Sequence, residues 1–297
     1  MKKQLAIITL FISSICSAQI ESIELPNGGV DSFNKKTKHY TIHITSNEEI
    51  FFNKKRILFW DQISSNILEE VRVPKFNAVQ DIAIYADKKL DYYILERVRF
   101  EIGKIWEGYV HYIGNGDKKN CLSFYTKGSP LSQKKYDITN WIYGHDVIFT
   151  AKQRRSEEGY DESKLKASVE QPIFAIWQPD LMSFFYNGNV NDINKFLNDV
   201  NYKGISLVSD EYFICEKKVV YFKEEEKINS LIKNNDILFI YTNFMNFQTY
   251  FKGMSNIQSK RYENSNHGVL RKPFIIEISE EYKEELKEKG LNIFNEK

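Results

Sequence analysis

Residues 40–52 read Tyr40-Thr41-Ile42-His43-Ile44-Thr45-Ser46-Asn47-Glu48-Glu49-Ile50-Phe51-Phe52. Tyr40, Ile42 and Ile44 alternate with Thr41, His43 and Thr45, the period-two pattern of a half-buried strand. Ser46-Asn47 supplies turn chemistry, and Ile50-Phe51-Phe52 starts a second strand, so the segment reads as a hairpin. Downstream, Trp60, Ile63, Ile67 and Val71 recur at helical spacing and stop before Pro74. Ile82-Ala83-Ile84-Tyr85-Ala86 is a buried strand. Leu90, Ile94, Val98, Ile102 and Ile105 line a second helix that closes near Gly108. Tyr109-Val110-His111-Tyr112-Ile113 is a fourth strand, stopped by Gly114-Asn115-Gly116. The order ββαβαβ predicts an α+β unit with helices packed on one face of a sheet.

The second half repeats this text. Ile42–Phe59 aligns without a gap onto Ile205–Phe222, and six of the eighteen pairs are identical: Ile42/Ile205, Ser46/Ser209, Glu48/Glu211, Lys54/Lys217, Lys55/Lys218 and Phe59/Phe222. Helical spacing follows at Ile228, Leu231 and Ile232. Asp236-Ile237-Leu238-Phe239-Ile240-Tyr241 then parallels Asp81 to Tyr85. Lys272 to Ile278 would close the second unit, followed by a helix capped by Ser279 that buries Leu286. Phe244, Phe247, Tyr250 and Phe251 share helical spacing and read as core. The expected organisation is a leader (1–18), an irregular linker (19–39), a first domain (40–114), a connecting region (115–203) and a second domain with a C-terminal helix (204–297). Within the connection, Asp146 to Thr150 and Pro172 to Trp177 look like strands, and Asp192 to Val200 like a short helix. Gln153 to Glu170 reads as a charged surface excursion.

The chain opens Met1-Lys2-Lys3, and Leu5 to Ile15 has the length of a signal-peptide apolar core. That is short of the ~20 residues that span a bilayer comfortably. Cys16-Ser17-Ala18 places small residues at −3 and −1 for cleavage before Gln19. A lipoprotein site at Cys16 is disfavoured by Ile15. The expectation is an exported protein, tethered to a membrane if the segment is not cut. Losing Lys2 and Lys3 would take the net charge from +1 to −1. A near-neutral chain has no electrostatic footprint for nucleic acid. Hydrophobic residues make up 42% of the chain, enough for a packed core and against disorder. After the leader, Cys121 and Cys215 remain, with no spacing signature to say whether they are bonded.

With this order in place, Ile42 to Ile113 resembles the periplasmic domain of the ExbD/TolR family. Leu25-Pro26 stands where that family carries a Leu-Pro. Ile50 to Phe52 matches its short strand after the turn. Ile84-Tyr85-Ala86-Asp87 with Tyr92 matches its Ala-Asp strand end and following tyrosine. The resemblance covers about ninety residues, 24–113, with a degenerate second copy at 204–278. It implies a non-enzymatic scaffold or interaction module of TonB/Tol-type transport systems. Its implied partners are an inner-membrane or periplasmic protein, peptidoglycan, and a second copy in a homodimer. The signature or interaction residues carried over are Leu25, Pro26, Tyr85, Ala86, Asp87 and Tyr92. The family's membrane helix carries a proton-coupling aspartate, whereas no acidic residue lies between Met1 and Ile20. Energy coupling is therefore expected to be absent.

Motifs for catalysis, phosphate binding, zinc or calcium are missing from the sequence. No cofactor and no metal site is expected. His39 and His43 are close in sequence, but a strand places them about 13 Å apart. Gly144-His145-Asp146 reads as a turn. Asp87 is read as the cap of the helix starting near Leu90. An alternative stays open: an exported enzyme or ligand-binding protein with its site in residues 115–203.

Overall fold

Ile42 and Ile44 are fully buried and Thr41 and His43 only partly, so the alternation read from the sequence sets which face of the first strand meets the core. The computed structural model describes residues 22–36, 39–60, 62–72, 81–103, 105–127, 175–176, 190–242, 244–263, 274–278 and 280–294. The expected leader, the strand at 146–150, the excursion at 153–170, His145, His267 and the Ser279 cap lie outside them.

The first sheet contains β1 (Tyr40–Ile44), β2 (Ile50–Phe52), β3 (Lys55–Ile57), β4 (Asp81–Ala86), β5 (Glu107–Ile113) and β6 (Cys121–Lys127). Their order is β3-β2-β1-β4-β5-β6, with the two-residue β7 (Ala175–Ile176) at the edge. Helices α1 (Gln62–Arg72) and α2 (Tyr92–Gly103) connect β3 to β4 and β4 to β5. After α3 (Val190–Asp199) comes the second sheet: β8 (Tyr202–Leu207), β9 (Tyr212–Cys215), β10 (Lys218–Tyr221), β11 (Ile237–Thr242) and β12 (Phe274–Ile278). Its order is β10-β9-β8-β11-β12. Here α4 (Glu225–Asn234) and α5 (Phe247–Glu263) are the crossovers, and α6 (Glu280–Glu288) follows β12. The protein is thus mixed α+β, with two mixed sheets. Among the described residues, no helix is long and apolar enough to cross a membrane.

The two sheets agree strand by strand. Ile42 lies between Phe52 and Ile84, and Ile205 lies between Cys215 and Ile240. Each unit therefore reads βββαβαβ, one strand more than the sequence suggested. The extra strands arise because Asn53-Lys54 and Glu216-Lys217 all have positive φ (46°, 70°, 50° and 62°). Two consecutive left-handed residues make the tight turn whose twist suits a two-residue hairpin. The shared lysine at 54 and 217 sits at the second turn position.

Each unit uses both faces of its sheet. In the first, Ile42, Ile44, Ile82 and Ile84 face Ile63, Ile67, Leu95 and Val98 of α1 and α2 in one large core. The opposite face carries Ala83, Ile113 and Cys121 under Phe33 and Leu25. In the second, Ile205, Leu207, Leu238 and Ile240 join that same large core. Its other face buries Ile237, Phe239, Ile276 and Ile278 against Ile193 and Phe196 of α3 and Leu286 of α6. The expectation of helices on one face only is corrected for this unit: β11 is apolar on both sides and β12 adds Ile276 and Ile278 to the outer face, so the sheet needs two covers. Three boundaries also change. Leu90 and Ile105 lie outside α2, which runs Tyr92–Gly103. Phe244 is 79% exposed and precedes α5, while Phe247, Tyr250 and Phe251 are fully buried. Strand β6 has no counterpart in the sequence reading.

Left-handed lysines are strained by about 1 kcal/mol or more, which glycine avoids at some entropic cost. Lys54→Gly and Lys217→Gly should each raise stability in urea unfolding by roughly 0.5–1 kcal/mol. Destabilisation by either would contradict the turn geometry.

Candidate functional site

The residues that carry the family resemblance gather at one end of the first sheet. Glu24 N donates to Asp87 Oδ2 at 3.0 Å, Lys88 N donates to Glu24 O at 2.7 Å, and Asn115 N donates to Pro26 O at 2.7 Å. Leu25 packs against Ala83, Ile113 and Cys121. Residues 24–33 thus form a strap that crosses the ends of β4 and β5. It continues to β6, where Val30 N and Asp31 N both donate to Cys121 O, at 2.9 and 3.0 Å. Gly29 has φ 142°, and a Cβ there would sit 2.6 Å from Cys121 N, so the close approach requires glycine. The strap also touches the second unit, since Asn27 N donates to Gln248 Oε1 at 2.8 Å.

Asp87 is 3% exposed and belongs to this strap. Its expected role as a helix cap is corrected. Its Oδ1 accepts from Lys89 N at 3.0 Å in a local turn, whereas α2 begins later and is capped by Asp91, whose Oδ1 accepts from Tyr93 N at 3.3 Å. The extra residues Lys88 to Asp91 arise because Leu90 is pulled into the core and its carbonyl is used elsewhere. Tyr85 is half-buried and stacks on His43 with centroids 4.9 Å apart. Ala86 is fully buried. Tyr92 lies apart from the strap, on the inner side of the helix.

There it meets the second unit. Tyr92 N donates to Met245 O at 2.8 Å, and Phe247 N donates to Leu90 O at 2.7 Å. The two bonds flank a bridge between Asp91 and Asn246. Asn246 caps α5 by accepting from Thr249 N at 2.9 Å, as Asp91 caps α2. The arrangement is reciprocal, so the units pair about a pseudo-twofold axis passing between Asp91 and Asn246.

Beside this axis lies the most heavily buried polar cluster described. Arg99 Nη1 of α2 donates to Glu277 Oε2 of β12 at 3.0 Å, with the two side chains 2% and 5% exposed. Tyr250 Oη donates to Glu277 Oε2 at 2.8 Å, and Tyr92 Oη donates to Glu277 Oε1. The Tyr92 and Tyr250 rings stack with centroids 3.5 Å apart. The Arg99 guanidinium also lies 5.1 Å from the centre of Phe124. Burial pushes the phenols of Tyr92, Tyr112 and Tyr250 up, so all three stay protonated donors at physiological pH. Breaking such a pair from one side costs about 3–5 kcal/mol, because the remaining charge is stranded. Neither Arg99 nor Glu277 stood out in the sequence, where each looks like one more charge in an amphipathic element.

The outer face of the first sheet holds the polar residues that sequence reading left unassigned. Asp81, His111 and Ser123 lie on β4, β5 and β6. His111 Nδ1 is 2.8 Å from Ser123 Oγ, and its Nε2 is 3.7 Å from Asp81 Oδ1. Ser123 is 1% exposed and His111 8%. The row resembles a nucleophile–base–acid line, but only the His111–Ser123 bond closes, tying β5 to β6, while Asp81 stays beyond hydrogen-bond distance of Nε2. Phe33 packs on both His39 (4.8 Å) and His111 (5.0 Å). Burial, assisted by Lys54, lowers the pKa of His43 and keeps it neutral. Cys121 and Cys215 are unbridged and buried in separate sheets. Burial pushes their thiols up to about 12 and about 11. Among the described residues, no three His, Cys, Asp or Glu side chains could hold a metal ion. Comparisons with protein-family models, curated proteins and solved structures give no match.

Asp87→Ala removes the acceptor of two backbone N–H groups, each a charge-assisted bond worth about 1.5–3 kcal/mol. The variant should unfold at lower urea and be cleaved faster by protease within residues 22–36. Unchanged cleavage there would show that the strap is held by other means.

Proposed function

We propose that this chain is a periplasmic ExbD/TolR-like scaffold or interaction protein of a TonB/Tol-type transport system, working without catalysis and without proton coupling. The observation that carries this reading is the strap. Leu25-Pro26 and the Ala86-Asp87 strand end, the two short signatures of the resemblance, lie about sixty residues apart in sequence yet are tied by Glu24 and Asp87. Their joint presence in a βββαβαβ unit is harder to obtain by coincidence than either motif alone. Export follows from residues 1–18. The absence of an acidic residue between Met1 and Ile20 argues against a proton-coupling role. The alternative, an exported enzyme or ligand-binding protein with its site in residues 115–203, falls largely on residues outside the described ones.

An interaction surface for this role is offered at the end of β3. Leu58 and Phe59 are adjacent and 70% and 66% exposed. The aligned Phe222 packs instead on Phe213, with centroids 5.4 Å apart. The first unit therefore exposes Phe59 where the second packs Phe222, while Tyr221, aligned with Leu58, is 41% exposed.

The test is made in the host cell with the tagged full-length chain. The protein should be protease-accessible outside the inner membrane and should cross-link to an inner-membrane protein of a proton-driven transport complex. Leu58→Ser with Phe59→Ser should reduce that cross-link at least several-fold at equal protein level. Recovery in the cytosol, or a cross-link unaffected by the double substitution, contradicts the proposal.

A further inference from the structure

The pairing of the two units is reciprocal in its backbone but not in its charges. About the pseudo-twofold axis, Leu90, Asp91 and Tyr92 correspond to Met245, Asn246 and Phe247. Counting along the two helices from Tyr92 and Phe247, Arg99 corresponds to Met254. On the sheets, Tyr112 stands beside Ile84 and Glu277 stands beside Ile240, so these two also correspond. The contacts obey the same symmetry. Glu277 meets Tyr92 across the interface, and Tyr112 meets Phe247 across it, with ring centroids 5.5 Å apart. One side of the axis thus carries arginine against glutamate. The other carries methionine and tyrosine, and both are fully buried.

We infer that this face is a selective docking surface which accepts only the unlike unit, and that the Arg99–Glu277 pair is the selector. Two N-terminal units brought together by the same operation would set Arg99 of each against Tyr112 of the other. Two buried guanidinium groups would then lack a carboxylate. Two C-terminal units would set Glu277 against Met254, leaving each buried carboxylate with Tyr250 of its own unit but no cation. Both like-with-like assemblies leave uncompensated buried charge, which proteins do not tolerate. The unlike pair leaves none, because Arg99, Tyr92 and Tyr250 all converge on Glu277. Rejection of wrong partners by stranded charge is a recognised route to specificity. The partner this face fits is therefore the complementary unit of its own chain, or of a second copy by exchange, and not its own likeness. A homodimer that pairs like unit with like is disfavoured at this face, whereas one formed by exchange of unlike units is compatible with it. The selection is independent of the transport reading, since it depends only on what the two units present to each other.

Charge reversal across two full-length chains tests it. Arg99→Glu places two carboxylates at the axis, and Glu277→Arg places two guanidinium groups there, so neither chain can pair its own units or those of an identical copy. Mixed, each chain supplies what the other lacks. Refolded together from urea at equal concentrations, they should give a 1:1 exchanged heterodimer by native mass spectrometry, at least tenfold enriched over dimers of either variant alone. Because either reversal could abolish folding, Arg99→Met with Glu277→Tyr in one chain provides a second arm. It makes the two sides of the axis alike and removes both members of the ion pair. That chain should remain folded by circular dichroism and form dimers whose fraction rises with concentration in light scattering, while the unaltered chain stays monomeric. A mixture with no heterodimer, or a symmetrised chain as monomeric as the unaltered one, overturns the inference.

Discussion

One buried ion pair fixes how the two halves of this protein meet. Taking a guanidinium and a carboxylate out of water carries a desolvation cost of several kcal/mol per ion, and mutual attraction offsets it only when the remaining hydrogen-bonding capacity is also used. Glu277 meets that condition with three donors, Arg99, Tyr92 and Tyr250. The donors come from α2 and α5, and the acceptor from β12. Rotating one unit against the other would pull Arg99 and Tyr92 away from Glu277 and leave it only Tyr250, from its own unit. Hydrophobic burial is indifferent to such a rotation, so the shared core supplies most of the association energy while the charged cluster supplies its orientation.

From that constraint the rest of the architecture can be followed outward. The inner faces of both sheets and the helices α1, α2, α4 and α5 belong to one continuous core. Each sheet then has an outer face left to cover, and the two units solve this differently. The second uses α3 and α6, with Ile193, Phe196 and Leu286 against Phe239 and Ile276. Among the described residues, the first uses the strap, anchored by Leu25 and Phe33, over a face rich in histidine and tyrosine. A thin, polar-tied cover on one unit and a helical, apolar cover on the other make two equivalent scaffolds with unlike outsides.

The strands with strict alternation were legible in the sequence. So was the register of the repeat: aligning Ile42 with Ile205 and Ile84 with Ile240 reproduces the pairing within each sheet. Strands β3 and β10 were not legible, because Lys55-Arg56 and Lys218 point to solvent and the turns Asn53-Lys54 and Glu216-Lys217 lack the glycine that announces a two-residue hairpin. The ends of α2 were misread because Leu90 and Ile105 are apolar for reasons of tertiary burial, not helical phase. Phe244 fits the helical spacing yet lies outside α5. The strap residues were identified only through the resemblance. The ion pair was beyond reach: its members are 178 residues apart, and nothing local distinguishes Arg99 from the neighbouring Arg97.

The central claim is that Arg99 and Glu277 act as a coupled pair that orients the units. A double-mutant cycle with Arg99→Met, Glu277→Gln and both together, followed by urea unfolding, tests it most directly. Each single substitution is predicted to cost about 3–5 kcal/mol, and the double to cost at least about 2 kcal/mol less than their sum. Strictly additive costs would contradict the account.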